Sequence, residues 1–204
     1  IDNAVIFYHE PYASSASEMV TELIQYFGDR YRISRYEAEA LLAGIMLDTK
    51  NFVIKTGVRT FEAAAYLRKI GADTVEVRKL FAIHMEAYQL KAKLVANARI
   101  YKGCAIAVAP DKDVPEIQVT AAQAADELLN ISGVQASFLI FRMGNVISYS
   151  ARSMGQLNVQ LIMEKLGGGG HHTMAGAQIP DISVEEADSK LTAAIDEFFE
   201  ENSR

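Results

Sequence analysis

Cysteine is nearly absent from this chain. Cys104 stands alone among 204 residues, which excludes a disulfide framework and a cysteine-built zinc site and fits a reducing, cytosolic setting. Set in Cys-Ala-Ile-Ala-Val, it reads as the inert thiol of a buried strand. Positive charge is also short, with 20 Lys plus Arg against 26 Asp plus Glu and a net charge of −6. Wrapping long nucleic acid wants a broad basic stripe, so that function is disfavoured while small anionic ligands stay open. No apolar run approaches the roughly 18 to 20 residues that cross a bilayer, and no leader pattern opens the chain, so the segment as given reads as soluble. Gly167 to Gly170 lacks the Gly-Lys-Ser/Thr ending of a Walker loop, and no Ser-His-acid set with nucleophile-elbow flanks occurs. The chain has no initiator Met at Ile1, from which we expect a piece cut from something longer.

What is present is ordinary globular composition, 50% hydrophobic and 23% charged, and 204 residues divided by about 150 per domain gives one large or two small domains. Capping signatures mark the helix starts, a Ser, Thr or Asp followed three residues later by Glu or Gln. Ser15 with Glu18 predicts a helix burying Met19, Val20, Leu23, Ile24 and Phe27, closed by Gly28. Ser34 with Glu37 predicts the next, whose stripe Ala38, Leu41, Leu42 and Ile45 ends at Asp48. Thr60 is expected to cap a third helix ending at Gly71. Asp73 with Glu76 predicts a long fourth one to about Ile100, a rigid connector on which His84 is a packed helix-face residue.

After Lys102 the texture changes. Ala105 to Ala109 reads as a strand, Thr120 with Gln123 as a helix start running to Leu129, and Ala136 to Arg142 with Val146 to Arg152 as a hairpin around Gly144-Asn145. Asn158 is expected to cap Val159 to Leu166, and Ser183 with Glu186 a last helix carrying Ala187, Leu191, Ile195, Phe198 and Phe199. The fold class is α/β: a helical part over residues 1–75, a connector helix over 76–100, and a lobe over 101–204 with a small mixed sheet flanked by helices.

The strongest chemical signal is Gly167-Gly168-Gly169-Gly170-His171-His172-Thr173-Met174-Ala175-Gly176. Successive glycines are retained where the main chain takes φ > 0 or touches a ligand closely, and exposed N–H groups in such a loop form an anion nest beside two imidazole donors. Local charge agrees. Between Arg142 and Gln178 stand Arg142, Arg152 and Lys165 against Glu164, whereas the tail from Asp181 holds eight acids against Lys190 and Arg204. Arg152 is a candidate phosphate clamp, because guanidinium meets phosphate bidentately. Asp48, a carboxylate at the negative end of a helix, calls for a cation, with Thr49 or the backbone supporting it.

These motifs resemble a known family. Gly168-Gly169-Gly170-His171-His172-Thr173-Met174-Ala175-Gly176 is similar to the Gly-Gly-Gly-His-x-x-Ala-Ala-Gly signature of the DHHA1 domain in DHH phosphoesterases, with Met174 in place of the first Ala. Ala43 to Thr49, with Phe52, resembles the family's late metal motif, in which the Asp binds manganese. Tyr12 to Val20 resembles the helix start that follows the DHH triad, and Asn3 to Leu23 with Ser150 to Val159 looks most like the membrane-anchored cyclic-di-AMP phosphodiesterases. The resemblance implies manganese-dependent hydrolysis of cyclic di-AMP to pApA through two metal ions. It implies substrate contacts from Arg152, Ser153, Asn158, Gly168, Gly169, Gly170, His171 and His172, and Asp48 as a metal ligand.

Residues 1–75 would then be the C-terminal part of a DHH catalytic domain and 101–204 a whole DHHA1 substrate lobe. The chain contains no Asp-His-His and no early Asp-x-Asp, so the catalytic set is incomplete here. The expected partners are a cyclic dinucleotide or short oligonucleotide together with upstream DHH and sensory regions of a membrane-anchored parent, a homodimer being left open. Alternatives of the same family are a nanoRNase or pAp phosphatase and a RecJ-like exonuclease; the non-enzyme alternative is an RNA-binding or docking module.

Overall fold

In the computed structural model, which describes residues 3, 5–30, 32–112 and 114–202, the chain divides into two units between Ala82 and Ile83. The first is helical: α1 (Ala16–Phe27), α2 (Arg35–Asp48), α3 (Val58–Lys69) and α4 (Thr74–Leu80). Its core is Ala38, Leu42, Ile45, Ala63, Leu67, Ala72 and Val77. The Ser34–Glu37 capping box starts α2 as expected. At α3, Gly57 is the cap, and Thr60 reaches back to accept the Gly57 N–H at 3.1 Å, so Thr60 acts from inside the helix.

The face expected of α1 is only partly turned inward, Met19 and Ile24 being half-buried. The helix buries Glu18 and Thr21, while Val20, Leu23 and Phe27 stay exposed. The reason is a close helix approach: a Cβ on Gly44 of α2 would meet Ser17 Oγ at 2.1 Å. Small and polar groups therefore line the contact. Glu18 is satisfied there by the Ser14 hydroxyl and the Ser14 N–H, which makes its burial tolerable.

The expected connector helix is two helices. After α4, Phe81 and Ala82 close with short i→i−3 bonds, and α5 (Met85–Ala96) begins after His84, whose φ −68° and ψ 153° are extended. His84 is thus an exposed helix-start residue and not a packed one. No Gly or Pro marks the break. Residues 81–86 are all exposed, and without a packed face propensity alone sustains a helix poorly.

The second unit carries α5 and a six-stranded mixed sheet, β1 (Arg99–Tyr101), β2 (Cys104–Val108), β3 (Ala136–Met143), β4 (Val146–Ser153), β5 (Gly169–His171) and β6 (Met174–Pro180), in the order β1-β2-β3-β4-β6-β5. Among the described residues only β2 and β3 pair in parallel, as their connection through α6 (Ile117–Leu128) requires. That helix starts earlier than expected, after Glu116 in a left-handed conformation (φ 55°), so Thr120 lies buried inside it. The hairpin β3–β4 turns at Gly144-Asn145, Asn158 caps α7 (Val159–Lys165), and the Ser183 hydroxyl accepts the Glu186 N–H at the start of α8 (Val184–Asn202).

One sheet face is sealed under α7 and α8 by Ile106, Phe138, Ile140, Ile147, Tyr149 and their neighbours. Cys104 belongs to it, 0% exposed, with burial pushing its thiol up to about 11. On the other face α5 and α6 cover Ala105, Ala107, Leu139 and Phe141.

Candidate functional site

The face under α6 is not covered to its end, and strand alternation decides what the uncovered part presents. In β4, Ile147, Tyr149 and Ala151 point into the sealed core, so Ser148, Ser150 and Arg152 point the other way. Cross-strand register sorts the open face into rows. The first is Ser137–Arg152–Met174–His171, the second Leu139–Ser150–Gly176–Gly169, the third Phe141–Ser148–Gln178. With Gln118 and Ala122 of α6 as a wall, they enclose a cleft of about 520 Å³ lined also by Gly167 and Gly168.

Arg152 is the one Lys or Arg lining this cleft among the described residues. Its side chain is only 12% exposed. Nη1 donates to the Ala151 carbonyl at 2.9 Å and to Ser150 Oγ at 3.2 Å. Nε lies 3.6 Å from Asp126 Oδ1, too long for a hydrogen bond, and is buried without a partner. Burial lowers the guanidinium pKa and Asp126 opposes the shift. Since Arg keeps its charge in proteins, the cleft holds a desolvated cation with a donor unspent. Ser148 Oγ is the second such atom, in a residue 3% exposed.

The glycine run is not the loop expected. Gly167 (φ 75°) terminates α7 in a Schellman motif, its N–H on the Glu164 carbonyl and that of Gly168 on the Met163 carbonyl. Gly169 to His171 then form β5 against β6. Gly168 and Gly170 are dictated by this pairing: a Cβ on Gly168 would meet the Gly176 oxygen at 2.1 Å, and one on Gly170 the Ala175 Cα at 2.5 Å. Gly169 differs. It needs no left-handed φ, and its Cβ would meet nothing within 4 Å. With Gly176 it leaves the middle row of the cleft floor as bare backbone.

Arg152, Gly168 and Gly169 therefore line one cleft. His171 is exposed in the Arg152 row, two strand spacings away, about 10 Å. The intervening residue is Met174. His172 turns aside, its Nε2 2.9 Å from the Gly155 carbonyl oxygen. Ser153 is buried, its N–H donating to the Thr173 carbonyl and its hydroxyl 3.4 Å from that of His172, while Asn158 Oδ1 accepts the Gln160 N–H. Both side chains are used by the fold. Ser148, Ser150, Gln118 and Gln178 were missed by motif reading, although the polar–apolar alternation of β4 carries the signal for the two serines.

Asp48 ends α2 and is exposed. Thr49 does not support it: the Thr49 hydroxyl donates to the Ile45 carbonyl at 2.7 Å and accepts the Phe52 N–H at 2.9 Å. This holds a turn in which Lys50, Asn51 and Phe52 all have positive φ. Among the described residues no group of three or more His, Cys, Asp or Glu is placed to hold a metal ion. The donors present do not make the manganese centre that the resemblance implies.

Residues 105–201 match the DHHA1 domain. The chain is 52% identical over 202 residues to the cyclic-di-AMP phosphodiesterase GdpP of Geobacillus thermodenitrificans and 47% identical over 201 residues to the cyclic-di-AMP phosphodiesterase PdeA of Listeria monocytogenes. Each match takes in 98% of this chain and 30% of the relative, so the chain spans about a third of their length. The fold is that of an exopolyphosphatase-related protein from Bacteroides fragilis, with a TM-score of 0.85 at 24% identity, covering 97% of this chain and 61% of that one. Through its DHHA1 domain and its likeness to these relatives along nearly its whole length, the chain belongs to the DHH/DHHA1 family.

Proposed function

We propose that this chain is the substrate-holding part of a manganese-dependent phosphodiesterase that hydrolyses cyclic di-AMP to pApA. The half-covered sheet of residues 83–202 takes the nucleotide. The observation that carries the reading is Arg152, a desolvated cation with an unspent Nε donor at one end of a cleft floored by bare glycine backbone. Phosphate is the anion that satisfies a guanidinium bidentately. The names of the relatives supply the substrate class.

His171 stands in the same row and adds a donor to the phosphate from across Met174. Gly169 lets the ligand approach the β5 backbone closely. The side chains of Ser153, Asn158 and His172 hold the loop beside this site in shape, which makes them positioning residues. Asp48 is assigned as one ligand of a metal centre completed by residues elsewhere in the parent protein. Hydrolysis then belongs to the parent and binding to this chain.

The test uses both. Residues 1–204 alone should bind pApA in calorimetry and leave cyclic di-AMP intact with manganese present. In the full-length parent, Arg152→Ala should lower kcat/KM for cyclic di-AMP about 100-fold, the scale of a lost charge-assisted contact to a buried phosphate. Unchanged kinetics in that variant, or robust turnover by the isolated chain, would overturn the reading.

A further inference from the structure

The guanidinium that marks the cleft has an acid beside it. Nη1 of Arg152 is spent on the Ala151 carbonyl and Ser150 Oγ, so the donor left for a ligand is Nε. Asp126 of α6 stands on that same side, its Oδ1 3.6 Å from Nε. That is close enough to attract and too far to hydrogen-bond. The helix sets this placement: Gln118, Ala122 and Asp126 are spaced i, i+4, i+8 on one face of α6, and the first two wall the cleft. Asp126 continues that wall to Arg152.

Elsewhere in this unit an ion pair closes to full contact. Arg99 meets Asp188 at 2.7 Å, and Lys91 meets Glu127, the residue after Asp126, at 2.6 Å. Arg152 and Asp126 stop short of that, which leaves the Nε donor open and the carboxylate next to it. No other charged side chain lines the cleft among the described residues. The anion-binding end is therefore close to neutral, one cation offset by one acid, where a site built for strong anion binding gathers several positive groups.

We propose that Asp126 is a charge selector, which sets the Arg152 end of the cleft to take a singly charged phosphodiester and to disfavour a doubly charged phosphomonoester. The proposal rests on the phosphodiesterase reading and adds which phosphate the site prefers. Each phosphate of a cyclic dinucleotide is a diester with one negative charge. Water added across one P–O ester bond leaves a hydroxyl and a terminal monoester, which loses its second proton with a pKa of about 6. An anion on Nε lies beside the Asp126 carboxylate, and their repulsion grows with the charge the anion carries. Arg152 attracts both kinds of phosphate, and Asp126 offsets the extra attraction that the dianion would gain. The end thus favours the substrate over the group that hydrolysis creates, and so promotes release of the product.

The experiment titrates the 204-residue chain, followed by backbone amide NMR at a pH of about 8, where a monoester carries both charges. The ligands are AMP and its phosphate methyl ester, which differ by one methyl group and one charge. Wild type should bind the ester at least as tightly as AMP. Asp126→Asn should tighten both, AMP about tenfold more than the ester, the order of magnitude of one extra charge at a partly exposed site. Asp126→Glu, which keeps the charge, should keep the wild-type ratio. A wild-type preference for AMP, an unchanged ratio in Asp126→Asn, or weaker binding of both ligands by one factor overturns the selector and leaves Asp126 as a support for Arg152. Absence of shifts near Arg152 with either ligand, or undiminished binding of both in Arg152→Ala, overturns the nucleotide reading itself.

Discussion

The two faces of β4 use similar groups in opposite ways. Toward α7 and α8, Ile147, Tyr149 and Ala151 are sealed, and the one hydroxyl among them donates to the Ala187 carbonyl at 3.1 Å. Burial pushes the Tyr149 phenol up to about 12, so it stays a neutral donor. Toward the cleft, Ser148 and Arg152 each keep a buried polar atom without a hydrogen-bond partner. A closed face settles its polar groups within the protein. An open one that buries polar groups unsettled is arranged for something that arrives.

That contrast breaks if substitutions on the two faces have the same kind of effect. The largest stability change is expected on the closed face. Phe138 is fully buried there, and Phe138→Ala should destabilise by about 3 to 5 kcal/mol in urea denaturation. AMP affinity, measured where the variant is still folded, should be unaffected. A Phe138→Ala protein with native stability would remove the closed face as the source of the fold's cohesion.

The glycines sharpen the contrast within a single strand. Gly168→Ala forces a Cβ onto the Gly176 oxygen and the Ala177 Cα, and should destabilise by about 3 kcal/mol, at the upper end for overpacking. Gly169→Ala has room and no positive φ to violate, so stability should hold or rise by about 0.5 kcal/mol as the unfolded chain loses freedom. Its effect should appear as weaker binding of AMP and ribose 5-phosphate. Equal destabilisation by both substitutions would mean that Gly169 serves packing and not a ligand.

Much of the fold could be read in the sequence, where it depends on local rules. The Gly144-Asn145 hairpin and the caps at Ser34, Asn158 and Ser183 follow from bonds within four residues of each other. The misreadings share a different cause. Periodicity reveals that α1 has an apolar stripe, yet the close approach of Ser17 to Gly44, residues far apart in sequence, leaves Val20, Leu23 and Phe27 of that stripe exposed. Propensity allows a helix across residues 81–86, where nothing packs to hold it. The glycine run declares that backbone must come close to something, but only the β5–β6 register shows that Gly168 and Gly170 answer to the neighbouring strand and Gly169 does not. Ser148 was visible as one half of an alternation and lacked any motif to single it out.

Among the hydroxyls the expected effect is small and the most discriminating, because its sign is opposite on the two faces. Removing a satisfied buried hydroxyl, as in Tyr149→Phe, deletes its bond to the Ala187 carbonyl and should destabilise by about 1 kcal/mol. Ser148→Ala removes a hydroxyl that has no partner, relieves its desolvation, and should stabilise the free protein by up to about 1 kcal/mol. Denaturation with and without AMP separates the contributions: the variant should start more stable and gain less from the ligand, since ligand stabilisation follows affinity. If Ser148→Ala destabilises the free protein as Tyr149→Phe does, then its hydroxyl serves the fold, and the open face of β4 differs from the closed one only in exposure.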